Sequence, residues 1–363
     1  MNIVFLICII LVLVIILFTI TIFHSLNSIR PTIPSDENLK DISIIIAARD
    51  EEDNISDLLN SLSKIEYPKD LYEIIIVDDN STDRTYEIAN NNAAKFTNLK
   101  VIKVKDKKYA GKKGALDVGI QNAKFNYIVT TDADCQVGKN WLLYFSTKFN
   151  NESKFVFGNI VYINLETTFA GFFQQFENLR SKILYYSAAN LNFPYSAGGA
   201  NFGFEKSSFL KLGGYKNISS TLSGDDDLLI QQAAKMKYKI RFVIDNEATV
   251  FTKASQYFCD LIKRKARHTS ASYYYSIKTK MILSVWHISN LAAVASLFMI
   301  SFDSLFILPF AVKLILDILI VAQYSGLFGY SFNFVQTIIY QLTYEFMIVI
   351  NFFNGFNFIK KWK

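Results

Sequence analysis

Residues 73–83 read EIIIVDDNSTD: four consecutive β-branched residues, then Asp78 and Asp79, then a run of turn formers. A short apolar run without polar alternation is the pattern of a strand buried on both faces, and the polar run that stops it marks the strand's carboxyl end. Ser81 or Thr82 is placed to cap a helix running through Ala89. The same event precedes this stretch, where Ser43–Ala48 (SIIIAA) ends at Arg49 and is followed by Ile55, Leu58, Leu59 and Leu62 at helical spacing. It recurs twice afterwards. A run around Val101–Val104 leads into a Gly-Lys-Lys-Gly turn and a helix with Ala115, Leu116, Gly119, Ile120 and Ala123 on one face, and Tyr127–Thr131 ends in Asp132-Ala133-Asp134. Strands alternating with helices predict an α/β domain with a mostly parallel sheet, whose ligands sit beyond the carboxyl ends of the strands.

Outward from this core the composition changes twice. Ile3–Ile22 runs almost without polar interruption, and about 20 apolar residues span a ~30 Å hydrocarbon layer. The run is long, no basic residue precedes it and no small-x-small pattern follows, so it reads as an anchor rather than a cleaved leader. After Met281 the chain turns apolar again, with runs at 282–300, 304–322 and 333–352, and across this zone the charges are only Asp303, Lys313, Asp317 and Glu345. These predict membrane helices or hairpins. The expected division is 1–26 as transmembrane anchor, 27–279 as soluble domain and 280–357 as C-terminal transmembrane helices.

With 38 Lys and Arg against 32 Asp and Glu, the net charge of +6 is too modest to imply nucleic acid. The basic clusters at Lys263–Arg267 and at Lys360-Lys361-Trp362-Lys363 flank apolar segments, so membrane lipids with anionic headgroups are the simpler partner. The first cluster also places the soluble domain on the cytoplasmic side of a cell membrane. Three C-terminal crossings would put the basic tail outside; two crossings plus an interfacial segment would avoid that conflict, and the sequence does not decide between them. Cys8, Cys135 and Cys259 have neither paired nor metal-ligand spacing, which fits a reducing compartment.

Singly, acids at strand ends cap helices and fill turns. Here three strands end in them. Asp132 and Asp134 leave their strand one residue apart and can converge on a hard divalent cation, Mg²⁺ or Mn²⁺, which bridges phosphate oxygens. Lys112 or Lys113 adds a positive contact to a departing diphosphate. Asp78 and Asp79 can accept hydrogen bonds from a base or ribose, with Ala48-Arg49 beside the ring. Ser196–Phe204 (SAGGANFGF) reads as a glycine-rich loop that permits close approach of a sugar, or as a structural turn.

The motifs IIIAARDEEDNI, IIVDDNSTD, GKKGAL, TTDADC and SGDDDLL, in this order across residues 40–270, resemble those of family 2 glycosyltransferases with a GT-A fold. The resemblance implies a membrane-bound, metal-dependent, inverting transferase that moves a hexose or N-acetylhexosamine from a nucleotide-diphosphate sugar, UDP by default, to a glycan or lipid-linked acceptor. It sets Ala47, Arg49 and Glu51 beside the nucleotide, Asp79 with Asp78 at the base, and Asp132 and Asp134 at ribose, diphosphate and metal, Asp134 as direct ligand. Gly224-Asp225-Asp226-Asp227-Leu228 matches the Glu-Asp-x-Asp-Leu motif with its leading Glu replaced, which puts Asp225 in the general-base position and leaves Asp226 as the fallback. Asp227 reads as a helix-start acid. Polymerising members carry Gln-x-x-Arg-Trp before their membrane helices. Of that motif only Arg267 survives in Arg264-Lys265-Ala266-Arg267-His268, which leaves it a phosphate or acceptor role and disfavours a processive synthase. His268 reads as a packing residue. A sugar-phosphate nucleotidyltransferase would need glycine after the first strand, where this chain has Ala-Ala-Arg-Asp-Glu-Glu, and a non-catalytic scaffold would not need Asp132, Asp134 and Asp225.

Overall fold

The computed structural model describes residues 3 to 356, so the basic stretch at 360–363 and the final residue of the expected C-terminal zone lie outside the described residues. A long helix, α1 (Ile3–Asn27), comes first. The repeated strand–helix pattern then appears as β1 (Ile42–Ala48), α2 (Ile55–Ser63), β2 (Tyr72–Asp78), α3 (Thr85–Ala93), β3 (Leu99–Lys103), α4 (Gly111–Asn122) and β4 (Tyr127–Asp132). β1 lies between β2 and β4, parallel to both, with Ala48 beside Asp78 and Ala47 beside Asp132. That register brings Arg49, Asp79 and Asp132 out at one edge of the sheet.

The chain continues through β5 (Cys135–Val137), α5 (Trp141–Asn150), β6 (Phe155–Gly158), β7 (Ile160–Ile163), α6 (Phe169–Asn190), β8 (Phe202–Glu205), α7 (Lys206–Lys211), α8 (Asp227–Lys235), β9 (Ile240–Val243) and β10 (Val250–Lys253). The main sheet has seven strands in the order β3-β2-β1-β4-β8-β6-β9, and β5-β10-β7 form a second. Only β8 runs against its neighbours in the main sheet, so that sheet is mostly parallel, as expected. β8 also corrects one expectation: the last part of SAGGANFGF is a core strand, and the glycine-rich turn is confined to the residues before it.

Alternate residues of the isoleucine runs face opposite sides. Ile45, Ile75 and Val77 meet Leu116, Ile120 and Phe204, while Ile44, Ile46, Ile74 and Ile76 meet Leu58, Leu62, Trp141 and Phe145. Both faces are therefore dry, which is why these strands need no polar alternation. Two local expectations fail. Ser81 and Thr82 do not cap α3; Ser81 accepts from the Asp50 N–H and the Thr82 N–H donates to the Asp50 carboxylate, so they tie the first two strand-end loops together. The Gly-Lys-Lys-Gly segment is not a turn but the opening of α4.

After the sheets come α9 (Phe258–Thr269), α10 (Ile277–Ala295), α11 (Ile307–Tyr324) and α12 (Phe334–Gly355). Among the described residues three helical stretches are long and apolar enough to cross a membrane: Ile3–Asn27, Ile277–Met299 and Ser304–Tyr324. The third expected C-terminal run forms α12, which is outside that set and packs against α9 and α6 as well as α10 and α11. α1 packs against α6, α10 and α11, and Tyr324 Oη donates to Asn27 Oδ1 at 3.0 Å. Three of the four charges isolated in the apolar zone meet in one cluster with Arg180. Asp317 holds Arg180 of α6 at 2.8 Å and Lys313 at 2.5 Å, and Lys313 reaches Glu345 at 3.1 Å. All four side chains are at most 3% exposed.

Candidate active site

A cavity of about 1340 Å³ opens at the carboxyl edge of β1, β2 and β4. Asp50 and Asn80, both in the left-handed backbone region, turn the chain directly after Arg49 and Asp79. Asp and Asn tolerate that conformation better than other non-glycine residues. Ala47, Arg49, Glu51, Asp79, Lys112, Asp132, Asp134, Asp225, Asp226 and Arg267 all line the cavity. Asp78 does not: it is 1% exposed, and neither carboxylate oxygen has a hydrogen-bond partner. Asp79 is held by Lys107, which sequence inspection did not single out, at 2.5 Å.

Lys112 and Lys113, interchangeable by sequence, diverge because neighbouring helical residues point in different directions. Lys112 Nζ lies 2.6 Å from Asp132 and 3.3 Å from Asp225. Burial disfavours its charge, but the fields of these two carboxylates hold it well above the ordinary lysine range. Lys113 turns away from the cavity, is 1% exposed, and donates to the carbonyl oxygens of Ile218, Thr221 and Ser223 at 2.7 to 2.8 Å. It therefore clamps the loop that delivers Gly224, at φ +80°, and then Asp225. A side chain at Gly224 would meet Leu228 at 2.9 Å as well as strain the backbone.

The three consecutive acids are chemically distinct. For Asp225 burial works against the charge, yet Lys112 and Lys113 hold it below the usual carboxylate range. Burial together with Asp227 and Asp225 pushes Asp226 well above that range, and its carboxylate accepts the Asp227 N–H. Asp227 accepts from Ser196 Oγ, the Ala197 N–H and Tyr275 Oη. This joins the glycine-rich turn to the segment that enters α10. Gly199 sits so close that a Cβ there would lie 2.9 Å from Asp226. The turn thus has a steric reason for its glycine.

Asp132 and Asp134 face the same cavity, and Thr252 donates to Asp134 at 3.4 Å. Among the described residues no three His, Cys, Asp or Glu side chains converge. Two carboxylates are nonetheless what Mg²⁺ or Mn²⁺ takes when substrate phosphates and water complete its shell, so this pair fits such an ion. Arg264, one helical turn before Arg267, lies over the Tyr162 ring at 5.9 Å. Burial opposes its charge, while Tyr162 and Asp134 raise its pKa. The motif spacing had directed attention to Arg267 and past Arg264. His268 is exposed and lines the cavity, with Nε2 3.3 Å from Arg267, so it does not take the packing role expected of it.

Residues 43–213 match the family described as glycosyl transferase family 2. This chain carries a family 2 glycosyltransferase domain. The chain is 38% identical over 111 residues to a beta-monoglucosyldiacylglycerol synthase of Nostoc sp., a match covering 31% of this chain and 24% of the relative. It is 31% identical over 216 residues to a probable glycosyltransferase, YdaM, of Bacillus subtilis, covering 57% of this chain and 50% of that one. The matched region thus spans between a quarter and half of these relatives. The structure of a mannosyltransferase from Pyrobaculum calidifontis, in complex with GDP-Man and Mn²⁺, superposes with a TM-score of 0.62 at 17% identity over 97% of this chain and 99% of that one. At that identity the likeness shows a shared GT-A fold, including the helices that flank the sheet.

Lys113→Met is expected to lower turnover by about 10²-fold with donor affinity retained, because losing the three carbonyl contacts lets Asp225 drift from its place. Burial draws the Lys113 ammonium down to about 8 against the fields of Asp225 and Asp226. Below that pH it is charged with three N–H donors; above it one donor is lost. The turnover number should therefore fall as pH rises through about 8, and Lys113→Arg should remove this limb of the profile.

Proposed function

We propose that this chain is an inverting, metal-dependent glycosyltransferase that moves a hexose or N-acetylhexosamine from a nucleotide-diphosphate sugar, with UDP as the default nucleotide, to a glycan or lipid-linked acceptor at the cytoplasmic face of a cell membrane. The observation that carries this reading is the contiguous ion-paired line of Asp132, Lys112 and Asp225 on one cavity wall. A cation contact for a leaving diphosphate and an ionised carboxylate for an acceptor then stand side by side.

In this reading Ala47, Arg49, Glu51 and Asp79 flank the nucleotide, Asp132 and Asp134 hold the divalent ion, and Lys112, with Arg264 or Arg267, meets the diphosphate. When bound, Mg²⁺ or Mn²⁺ supplies neutralisation of the diphosphate's charge. Asp225 accepts the proton of the acceptor hydroxyl as its oxygen attacks the anomeric carbon opposite the diphosphate, so one displacement inverts that centre. Asp226, which burial and its neighbouring acids push toward the protonated form, remains the fallback.

Sidedness and crossings belong to the same proposal: residues 1–26 anchor, 27–279 form the catalytic domain, and α10 and α11 make the C-terminal crossings. α12 serves as the interfacial segment, a reading supported by its packing on α9 and α6. Membrane lipids are then the domain's immediate neighbours.

The test is nucleoside-diphosphate release by the purified full-length protein across a panel of nucleotide sugars with Mg²⁺ or Mn²⁺. Metal-dependent release from one donor, abolished in Asp134→Ala, is the expected result. Donor binding without turnover, even with a membrane lipid extract and glycans supplied, would sink the reading.

A further inference from the structure

The catalytic cavity does not end at the carboxylates. It continues along one face of α10, where Lys280, Leu283, Ser284, His287, Ile288 and Leu291 line it. From residue 280 to 291 the helix rises about 16 Å at 1.5 Å per residue. The facing wall is α12, through Tyr344, Ile348, Val349 and Phe352 among others. α10 belongs to a stretch long and apolar enough to cross a bilayer. A chamber that begins at Asp225 and runs along such a helix is polar at one end and predominantly apolar along its length.

Two polar atoms in that length lack partners. His287 Nδ1 and Asn351 Oδ1 are buried without a hydrogen bond, and both residues line the cavity. Unsatisfied buried polar atoms are costly, and a ligand that brings its own polar groups to them repays that cost. A soluble glycan would satisfy these atoms but leave the apolar walls of α10 and α12 wet. A hydrocarbon chain with a polar linkage suits both.

We propose that this chamber is the acceptor site and that the acceptor is a membrane lipid whose headgroup ends in a free hydroxyl. The hydroxyl lies at Asp225, polar atoms of the lipid meet His287 and Asn351, and a hydrocarbon chain follows Leu283, Leu291 and Ile348. This rests on the transferase reading above and narrows its acceptor to one class. The choice of a hydroxyl over a lipid phosphate follows from the base. A phosphate oxygen is already deprotonated at neutral pH and gives a carboxylate nothing to accept, whereas a hydroxyl must lose its proton as it attacks. In the transfer the hydroxyl oxygen bonds to the anomeric carbon and the bond from that carbon to the diphosphate breaks. Its electron pair leaves with the nucleoside diphosphate, and the hydroxyl proton passes to Asp225.

The experiment uses full-length protein in detergent micelles with the donor identified by the release panel, its sugar radiolabelled. Three acceptors are compared: a total bacterial lipid extract, the same extract with its hydroxyls acetylated, and soluble oligosaccharides. Label should become organic-extractable with the untreated extract and not with the acetylated one. Labelling that survives acetylation, or labelling of oligosaccharide alone, overturns the proposal. Nucleoside-diphosphate release into water without transfer to any lipid overturns it too, but leaves the donor reading standing; no release with any donor sinks that reading as well. Leu291→Trp and Ile348→Trp, which narrow the chamber, should each raise the KM for lipid at least about tenfold, by the loss of about 1.4 kcal/mol of binding. Hydrolysis of donor into water, measured in the same samples, reports whether each variant is folded. Unchanged lipid KM in both folded variants also overturns the proposal.

Discussion

Asp225→Asn is expected to lower the turnover number by about 10²–10⁴-fold while nucleotide sugar still binds, the range associated with removing a positioned general base. Asparagine keeps the shape and can still accept from Lys112, which lies 3.3 Å from Asp225 and is held from its other side by Asp132 at 2.6 Å. What disappears is the ionised oxygen that takes the proton in the mechanism proposed above. Asp226→Asn provides the contrast. Burial, with Asp227 and Asp225 beside it, pushes Asp226 well above the usual carboxylate range and favours its protonated form, which an amide imitates, so this variant should lose far less than the first. Steady-state rates together with isothermal titration of the nucleotide sugar separate turnover from binding. Equal losses in the two variants would show that the proton acceptor has been assigned wrongly within Asp225–Asp227.

The second large effect concerns stability. Asp317→Ala should destabilise the folded protein by about 3–5 kcal/mol, the usual consequence of removing one partner from a buried charge group. Asp317 is the one residue of the cluster that contacts both Arg180 and Lys313. Without it two cations share the single carboxylate of Glu345, which is itself 3% exposed and accepts from Gln341 at 2.9 Å. The cluster joins α6 of the sheet domain to α11 and α12. Its loss should therefore show both as a lower melting temperature in detergent and as early proteolysis between α10 and α12. A joint Arg180→Leu, Asp317→Leu change, which deletes a charge of each sign, should recover much of the loss, because a matched apolar replacement leaves no charge stranded.

The isoleucine runs foretold the fold well because a strand buried on both faces has few other sequence solutions. Ser43–Ala48 and Glu73–Asp78 pair in the register that brings their terminal residues together. What could not be read was direction at the ends. Ser81 and Thr82 have cap chemistry, but the loop after β1 reaches them first through Asp50. Asp78 and Asp79 look equivalent, yet alternation along the strand buries the first away from the cavity and leaves the second on its wall. Lys112 and Lys113 are separated by the same rule in helical form. Lys113 finds its carbonyls at Ile218, Thr221 and Ser223, more than a hundred residues onward, a contact that no local pattern contains. Arg264 was passed over because the motif it sits in is defined by Arg267, while the ring beneath it, Tyr162, comes from β7.

The contact between Tyr324 and Asn27 spans 297 positions of the chain. Translation at 5–20 residues per second takes roughly 15–60 s to cover that distance. For all that time α1 has no α11 to pack against; of its partners in the finished fold α6 is made first and α10 follows. The order of synthesis thus lets α6 dock on the first helix long before the C-terminal helices complete its packing. A ribosome stalled before α10 would leave α1 packed on α6 alone, with the faces that α10 and α11 cover in the finished fold still bare.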